Sequence, residues 1–94
     1  MDKKYILHFL KEHKEELQQK YNIRKIALFG SFARDEADEK SDIDILVDMP
    51  SSFDNFFELK YYLEKNFNRE VDLGKFKTLR LLVKEQIEKE ILYV

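Results

Sequence analysis

The sequence predicts a small α/β fold in which helices flank a mixed β-sheet. Apolar residues recur at helical spacing near the N-terminus, two short apolar runs of strand length follow, and helical periodicity returns after the second run. No repeat, low-complexity tract or Pro/Gly-rich linker interrupts the 94 residues, so we expect one domain over residues 1–94. A small mixed sheet covered by helices is an economical way to bury the apolar faces of these elements.

The first element is predicted to be a helix from about Lys3 to Tyr21, with Asp2 as its N-terminal cap. One face carries apolar residues at helical spacing: Ile6, Phe9, Leu10, Leu17 and Tyr21. His13 falls on this face and His8 on the opposite one. Because His13 lies among apolar neighbours, we expect a hydrogen-bonded core histidine rather than a catalyst.

Two strands are predicted next, over Ile23–Phe29 and Asp42–Met49. Gly30 ends the first strand, residues 31–35 form one helical turn, and a polar loop continues to Ser41. In the second strand, one face is formed by Ile43, Ile45 and Val47. The opposite face carries Asp42, Asp44, Leu46 and Asp48.

A second long helix is predicted from the capping residue Ser52 to about Phe67. Its apolar stripe is Phe56, Leu59, Leu63 and Phe67. A short third strand over Glu70–Leu73 ends at Gly74. A last helix starts at about Thr78 and reaches the apolar end at residues 91–94. Its stripe is Leu79, Leu82, Val83 and Ile87.

Both of these helices carry apolar residues away from their main stripe. Phe57 and Tyr61 lie off the line of the first of them, and Leu81 and Leu92 lie opposite the stripe of the last. A wide core face explains these residues, and so does a protein–protein surface. Both interpretations stay open from the sequence.

Composition excludes several classes of protein. A hydrophobic content of 44% and a charged content of 38% are typical of a globular domain. The net charge of −2 provides no general attraction for nucleic acid, so we expect no direct nucleic-acid binding. The absence of cysteine excludes disulfides and thiolate chemistry. No apolar run approaches the length of a membrane span or resembles a signal peptide, so we expect a cytoplasmic protein.

The most informative motif is Gly30-Ser31 followed, ten residues later, by Asp42-Ile43-Asp44. Side chains at i and i+2 of a strand share a face, with Cα atoms roughly 6.6 Å apart, so Asp42 and Asp44 can share hard cations. A two-metal site for phosphoryl displacement needs further ligands. Asp72, an acidic residue in a short apolar strand, is the candidate third carboxylate.

Other residues are assigned by their distance from this pair. Asp48 would lie roughly 13 Å from Asp44 along the strand, so we exclude it. At the corner, Gly30 allows close backbone approach to a phosphate, and the Ser31 hydroxyl adds a donor. Arg34, one turn further on, is the nearest cation for a phosphate oxygen. Calcium-loop, P-loop and Rossmann patterns are absent from the sequence.

Together these motifs resemble the nucleotidyltransferase superfamily of DNA polymerase beta. The resemblance is carried by Gly30-Ser31, Asp42-x-Asp44 and the later Val71-Asp72-Leu73. The short length, the runs at residues 30–34 and 41–47, and the ending Ile-Leu-Tyr-Val resemble the minimal nucleotidyltransferase (MNT) branch. That branch is best known as the antitoxin half of HEPN/MNT toxin–antitoxin pairs.

The resemblance implies specific roles. Asp42, Asp44 and Asp72 would bind two magnesium ions, and Gly30 with Ser31 would hold the triphosphate of ATP. Members of the family transfer AMP from ATP, in some cases onto a tyrosine of a partner toxin. We therefore expect a Mg²⁺-dependent nucleotidyltransferase with a HEPN-family toxin as partner, in which Asp72 also helps to deprotonate the acceptor.

Alternative functions stay open at this point. Relatives that modify small molecules or nucleic acids add a domain for the acceptor, and we expect a partner protein to supply that side here. An antitoxin that neutralises its partner by contact alone is one alternative, and transfer to a small molecule is another. From the sequence, both a homo-oligomer and a hetero-oligomer stay possible.

Overall fold

A computed structural model of the chain describes residues 1–78 and 90–94. Within these residues, four strands form one mixed sheet in the order β3-β2-β1-β4. The strands are β1 (Lys25–Phe29), β2 (Ile43–Asp48), β3 (Val71–Lys75) and β4 (Leu92–Tyr93). The helices are α1 (Lys3–Glu12), α2 (Lys14–Tyr21), α3 (Gly30–Ala33) and α4 (Phe53–Phe67). The predicted α/β fold, a mixed sheet flanked by helices, is confirmed.

The sheet mixes strand directions. β1 pairs antiparallel with β2 and with β4, whereas β2 and β3 run parallel. The parallel pair is joined through α4, since a parallel connection needs a crossover. As a result, the start of β2 and the start of β3 lie at the same edge of the sheet, beside the end of β1.

The main core lies between α1, α2 and α4 and one face of the sheet. Ile43, Ile45 and Val47 of β2 contribute to it, as their alternation predicted. Leu59, Leu63 and Phe67 of α4 are buried. A smaller cluster on the opposite face of the sheet contains Ala27, Leu46, Phe76 and Ile91. Within β2, Leu46 is therefore the apolar residue that shares a face with Asp44.

The N-terminal helix differs from its prediction because it is divided at His13. Asp2 caps α1 as expected, since its Oδ1 accepts the backbone N–H of Tyr5 at 2.9 Å. His13 has φ −99° and ψ 5°, which ends α1 before α2 begins. Nδ1 of His13 lies 2.9 Å from the carbonyl oxygen of Phe9, and its ring stacks on Phe9 at 4.1 Å. The predicted hydrogen bond of His13 is thus confirmed, but the residue is half-buried rather than in the core, and the unbroken helix is wrong.

The C-terminal part of the chain holds two further corrections. β3 does not end at Gly74 but continues to Lys75, because Gly74 and Lys75 also pair with β2. Leu92 and Tyr93 form β4 beside β1, where the sequence predicted the end of a helix. The side chain of Tyr93 stacks on Phe76, with ring centroids 5.6 Å apart. The predicted stripe of the last helix, together with Leu81, lies outside the described residues.

The described helices do not include one with both the length and the apolar character that a membrane span requires.

In α4, Ser52 caps the N-terminus as predicted, accepting the Asn55 N–H at 3.3 Å. Phe57 and Tyr61 are exposed, to 37% and 68%. A wide core face is therefore the wrong interpretation for Tyr61, which lies with Phe53 and Phe57 in an exposed aromatic row at i, i+4 and i+8.

Candidate active site

The corner between β1 and α3 is built around Gly30. This residue has φ +76°, a left-handed conformation that side-chain-bearing residues rarely adopt. A Cβ added at Gly30 would lie 2.8 Å from Cγ of Asp44 and closer still to Oδ2. The missing side chain therefore lets the backbone turn and leaves the space that the Asp44 carboxylate occupies. Ser31 follows at the start of the helical turn.

Three predicted carboxylates gather next to this corner. Asp44 is the register partner of Phe29, directly before Gly30, in the antiparallel pair. Asp44 is also the register partner of Asp72 in the parallel pair, so both side chains share one face of the sheet. Asp42 stands immediately before β2 and is exposed, as is Asp72, whereas Asp44 is half-buried. Two neighbouring strands thus bring all three acidic residues to one edge.

The electrostatics of this cluster are dominated by Asp44. Burial, followed by the negative charges of Asp72 and Asp42, raises the pKa of Asp44 to about 6. The positive charge of Arg34 acts in the opposite direction and lowers that pKa. Because like charges within one site oppose joint ionisation, a cation among these carboxylates would relieve their repulsion.

The residues present fit divalent metal ions by two criteria. Carboxylate oxygens are the ligands that Mg²⁺ prefers, and three carboxylates share this edge of the sheet. The carboxylate of one of them, Asp44, lies in the space where a Cβ of Gly30 would be, against the backbone of the corner. In residues 1–78 and 90–94, no three His, Cys, Asp or Glu side chains already adopt metal-binding spacing. Metal binding by Asp42, Asp44 and Asp72 therefore stays a prediction.

Arg34 is near the carboxylate cluster but is hydrogen-bonded to other side chains, whereas Asp48 lies away from the cluster. The Arg34 guanidinium donates through Nε to Oε2 of Glu36 at 3.0 Å and through Nη1 to Oε2 of Glu90 at 3.1 Å. These hydrogen bonds raise the pKa of Arg34 and direct its donors toward glutamates. Its role as a phosphate ligand stays a prediction. Asp48 pairs with Lys25 at the far end of β2, which agrees with its exclusion.

The sequence reasoning missed Arg69, whose side chain contacts two segments of the site. Nη1 of Arg69 donates to the carbonyl oxygens of Asp38 at 3.0 Å and Ser41 at 2.9 Å. Its guanidinium carbon lies 5.2 Å from the ring centroid of Phe32 in α3. These contacts are non-local, and no periodicity or motif in the sequence indicates them. Only the position of Arg69, three residues before Asp72, offered a signal.

Comparisons with known proteins show the family of this chain. Residues 10–94 match the family described as Nucleotidyltransferase domain. The protein adenylyltransferase MntA of Thermococcus cleftensis is 40% identical over 87 residues, covering 90% of this chain and 88% of MntA. The chain therefore belongs to the nucleotidyltransferase domain family, as the motifs indicated, and it is a nucleotidyltransferase.

Two solved structures share the fold. A candidate minimal nucleotidyltransferase superposes with a TM-score of 0.79 at 26% identity, covering 98% of this chain and 95% of the other. A toxin–antitoxin crystallised with AMP-PNP gives a TM-score of 0.68 at 22% identity, covering 87% of this chain and 69% of the other. At that lower identity the second likeness concerns the fold. Both matches support the architecture on which the site is built.

Proposed function

We propose that the chain transfers AMP from ATP to a tyrosine hydroxyl of a partner toxin of the HEPN type, and thereby acts as its antitoxin. The observation that carries this proposal is the register of Asp44 with Asp72 beside the Gly30 corner. It joins a phosphate-holding turn to three carboxylates on one edge of the sheet. The 40% identity to protein adenylyltransferase MntA supports AMP as the transferred group.

Each part of the site has a task in this reaction. The backbone at Gly30 and the Ser31 hydroxyl hold the β- and γ-phosphates, because free N–H groups at a turn favour anions. Asp42, Asp44 and Asp72 would hold the Mg²⁺ ions. When bound, Mg²⁺ ions supply positive charge that stabilises the attacking and leaving oxygens of the displacement. Arg34, one turn away, is the proposed cation for the phosphates, a role that requires its guanidinium to leave Glu36 and Glu90.

The chemical step is an in-line displacement at the α-phosphorus. The acceptor oxygen forms a bond to that phosphorus while the bond to the oxygen that bridges to the β-phosphate breaks, and pyrophosphate leaves with the electron pair. Asp72 accepts the proton of the acceptor hydroxyl. Its exposed position at the start of β3 suits this role, since an acceptor from another protein must reach it from solvent.

A toxin partner is supported by the comparisons. The structural neighbour that contains AMP-PNP is a toxin–antitoxin complex, and MntA is a protein adenylyltransferase. A toxin encoded beside this chain would therefore be the acceptor to test. Neutralisation by contact alone is the second candidate function, and the exposed aromatic row of Phe53, Phe57 and Tyr61 favours it, because such residues are enriched in protein interfaces.

The test uses the purified protein, its toxin partner, Mg²⁺ and ATP labelled at either the α- or the γ-phosphate. We expect the α-label on a toxin tyrosine and the γ-label in pyrophosphate. The D42N/D44N double variant serves in parallel, both in this assay and in cells that express the toxin. Full protection of cells by this variant, without transfer of label, would assign the function to contact.

A further inference from the structure

We propose that Arg69 is a positioning residue that holds the three segments of the site in a fixed mutual arrangement. The inference rests on the proposed function, because it concerns how the carboxylates are kept ready for metal ions. Arg69 itself stands between α4 and β3, three residues before Asp72. Its side chain reaches the two other segments, one that precedes Asp42 and one that follows Gly30.

The first contact holds the loop before β2. Residues 38–41 form a tight turn in which Ser41 Oγ accepts the Asp38 N–H at 2.9 Å and the Ser41 N–H donates to the Asp38 carbonyl at 3.2 Å. Arg69 donates to the carbonyls of both residues that close this turn. Asp42 follows directly, so its backbone departs from a position that Arg69 determines.

The second contact holds the helical turn after Gly30. Phe32 in α3 is 3% exposed and belongs to the main core. The guanidinium carbon of Arg69 lies 5.2 Å from the centroid of the Phe32 ring. Because that ring is fixed in the core, the contact orients the donors of Arg69. Phe32 is only two residues beyond Gly30. The arginine therefore relates the phosphate turn to the loop before Asp42.

The third link is the backbone at the start of β3. The Ile43 N–H donates to the carbonyl of Glu70 at 3.0 Å, one residue after Arg69. Asp42, Asp44 and Asp72 repel one another, and this repulsion acts to separate β2 from β3 and from the corner. A side chain that connects all three segments opposes that separation. Both hydrogen bonds come from Nη1 of Arg69 while the flat guanidinium lies over the ring of Phe32, and lysine lacks that flat face.

The test is the binding of Mn²⁺, a spectroscopic substitute for Mg²⁺, by wild type and R69K, measured from free Mn²⁺ by electron paramagnetic resonance. Groups that orient metal ligands typically change metal affinity by about 10- to 100-fold. We expect R69K to raise the Mn²⁺ dissociation constant about tenfold. In the transfer assay, we expect half-maximal activity at about tenfold higher Mg²⁺, with partial rescue at saturating Mg²⁺.

Two controls and a second test variant separate positioning from general stability. R24K replaces an exposed arginine on the same fold and should bind Mn²⁺ as wild type does. I6V weakens the buried core at α1 and should lower the unfolding temperature without changing Mn²⁺ affinity. F32L removes the ring beneath the guanidinium and should shift affinity in the same direction as R69K. It carries the test if R69K does not fold.

The outcomes are distinguishable from those of the proposed function. If wild type binds Mn²⁺ and R69K binds it equally well, Arg69 has no positioning role while the proposed function stands. A fall in unfolding temperature for R69K with unchanged affinity would also overturn the inference, because it shows a structural role alone. If wild type binds no Mn²⁺, the metal site of the proposed function fails instead.

Discussion

Asp44 of β2 and Asp72 of β3 are register partners in a parallel strand pair and present their carboxylates on the same face of the sheet. The antiparallel pairing of Asp44 with Phe29 brings the same carboxylate beside Gly30. One half-buried aspartate thus lies both at the Gly30 corner and at the acidic edge. The arrangement depends on strand register, so that a one-residue slip would move Asp44 to the other face.

Gly30 is the residue of this arrangement whose replacement we expect to be tolerated least. We expect G30A to destabilise the protein by about 2 kcal/mol or more, because it combines a left-handed φ of +76° with a clash against Asp44. Transfer activity should fall with it. Urea unfolding and the labelled-ATP assay measure the two effects. G74A is the matched control, since its Cβ would meet only Leu46 Cδ2 at 3.4 Å, an ordinary contact.

The raised pKa of Asp44 predicts how stability depends on pH without metal. The folded state binds the Asp44 proton up to about pH 6, whereas the unfolded state releases it near 3.8. The stability that is fully present below pH 3.8 is therefore lost as the pH rises to about 6. We expect D44N to raise the unfolding temperature at pH 7.5 and to leave it nearly unchanged at pH 3.5. Equal effects at both pH values would contradict this origin of the pKa shift.

Metal ions should offset the same repulsion. We expect Mg²⁺ with a non-hydrolysable ATP analogue to raise the unfolding temperature of the wild type. The free energy of unfolding should rise by about 2.7 kcal/mol when the free ligand concentration is 100 times the dissociation constant. D42N/D44N should show little gain, since it lacks two of the three carboxylates. Chelation with EDTA should reverse the effect in the wild type. The same rise in the double variant would place the binding elsewhere.

Much of the site could be predicted from local pattern. The two-residue period of a strand places Asp44 on the face opposite Ile43 and Ile45, and the structure follows it, whereas Asp42 lies just before β2. To share a face with Asp44, Asp72 also had to lie on a strand that pairs with β2. The α4 crossover allows β3 to pair parallel with β2, and this pairing makes Asp72 the register partner of Asp44.

What could not be predicted depends on contacts between distant residues. The hydrogen bond from Arg34 to Glu90 joins positions 56 residues apart. β4 contains only two residues, and pairing with β1 decides its conformation, which a short apolar run does not indicate. At His13, a backbone with φ −99° and ψ 5° divides a helix that periodicity alone extends, and the ring of His13 stacks on Phe9 there.

The central claim is that carboxylates from β2 and β3 form one catalytic site, and the most direct test compares D72N with D48N. Both remove a carboxylate from the same sheet, but Asp48 lies at the far end of β2, opposite Lys25. The initial rate of α-label transfer from ATP to the partner toxin is the measured quantity. We expect D72N to lower it at least about 100-fold and D48N to change it less than about twofold. A D72N rate near wild type, or an equal loss in D48N, would contradict the claim.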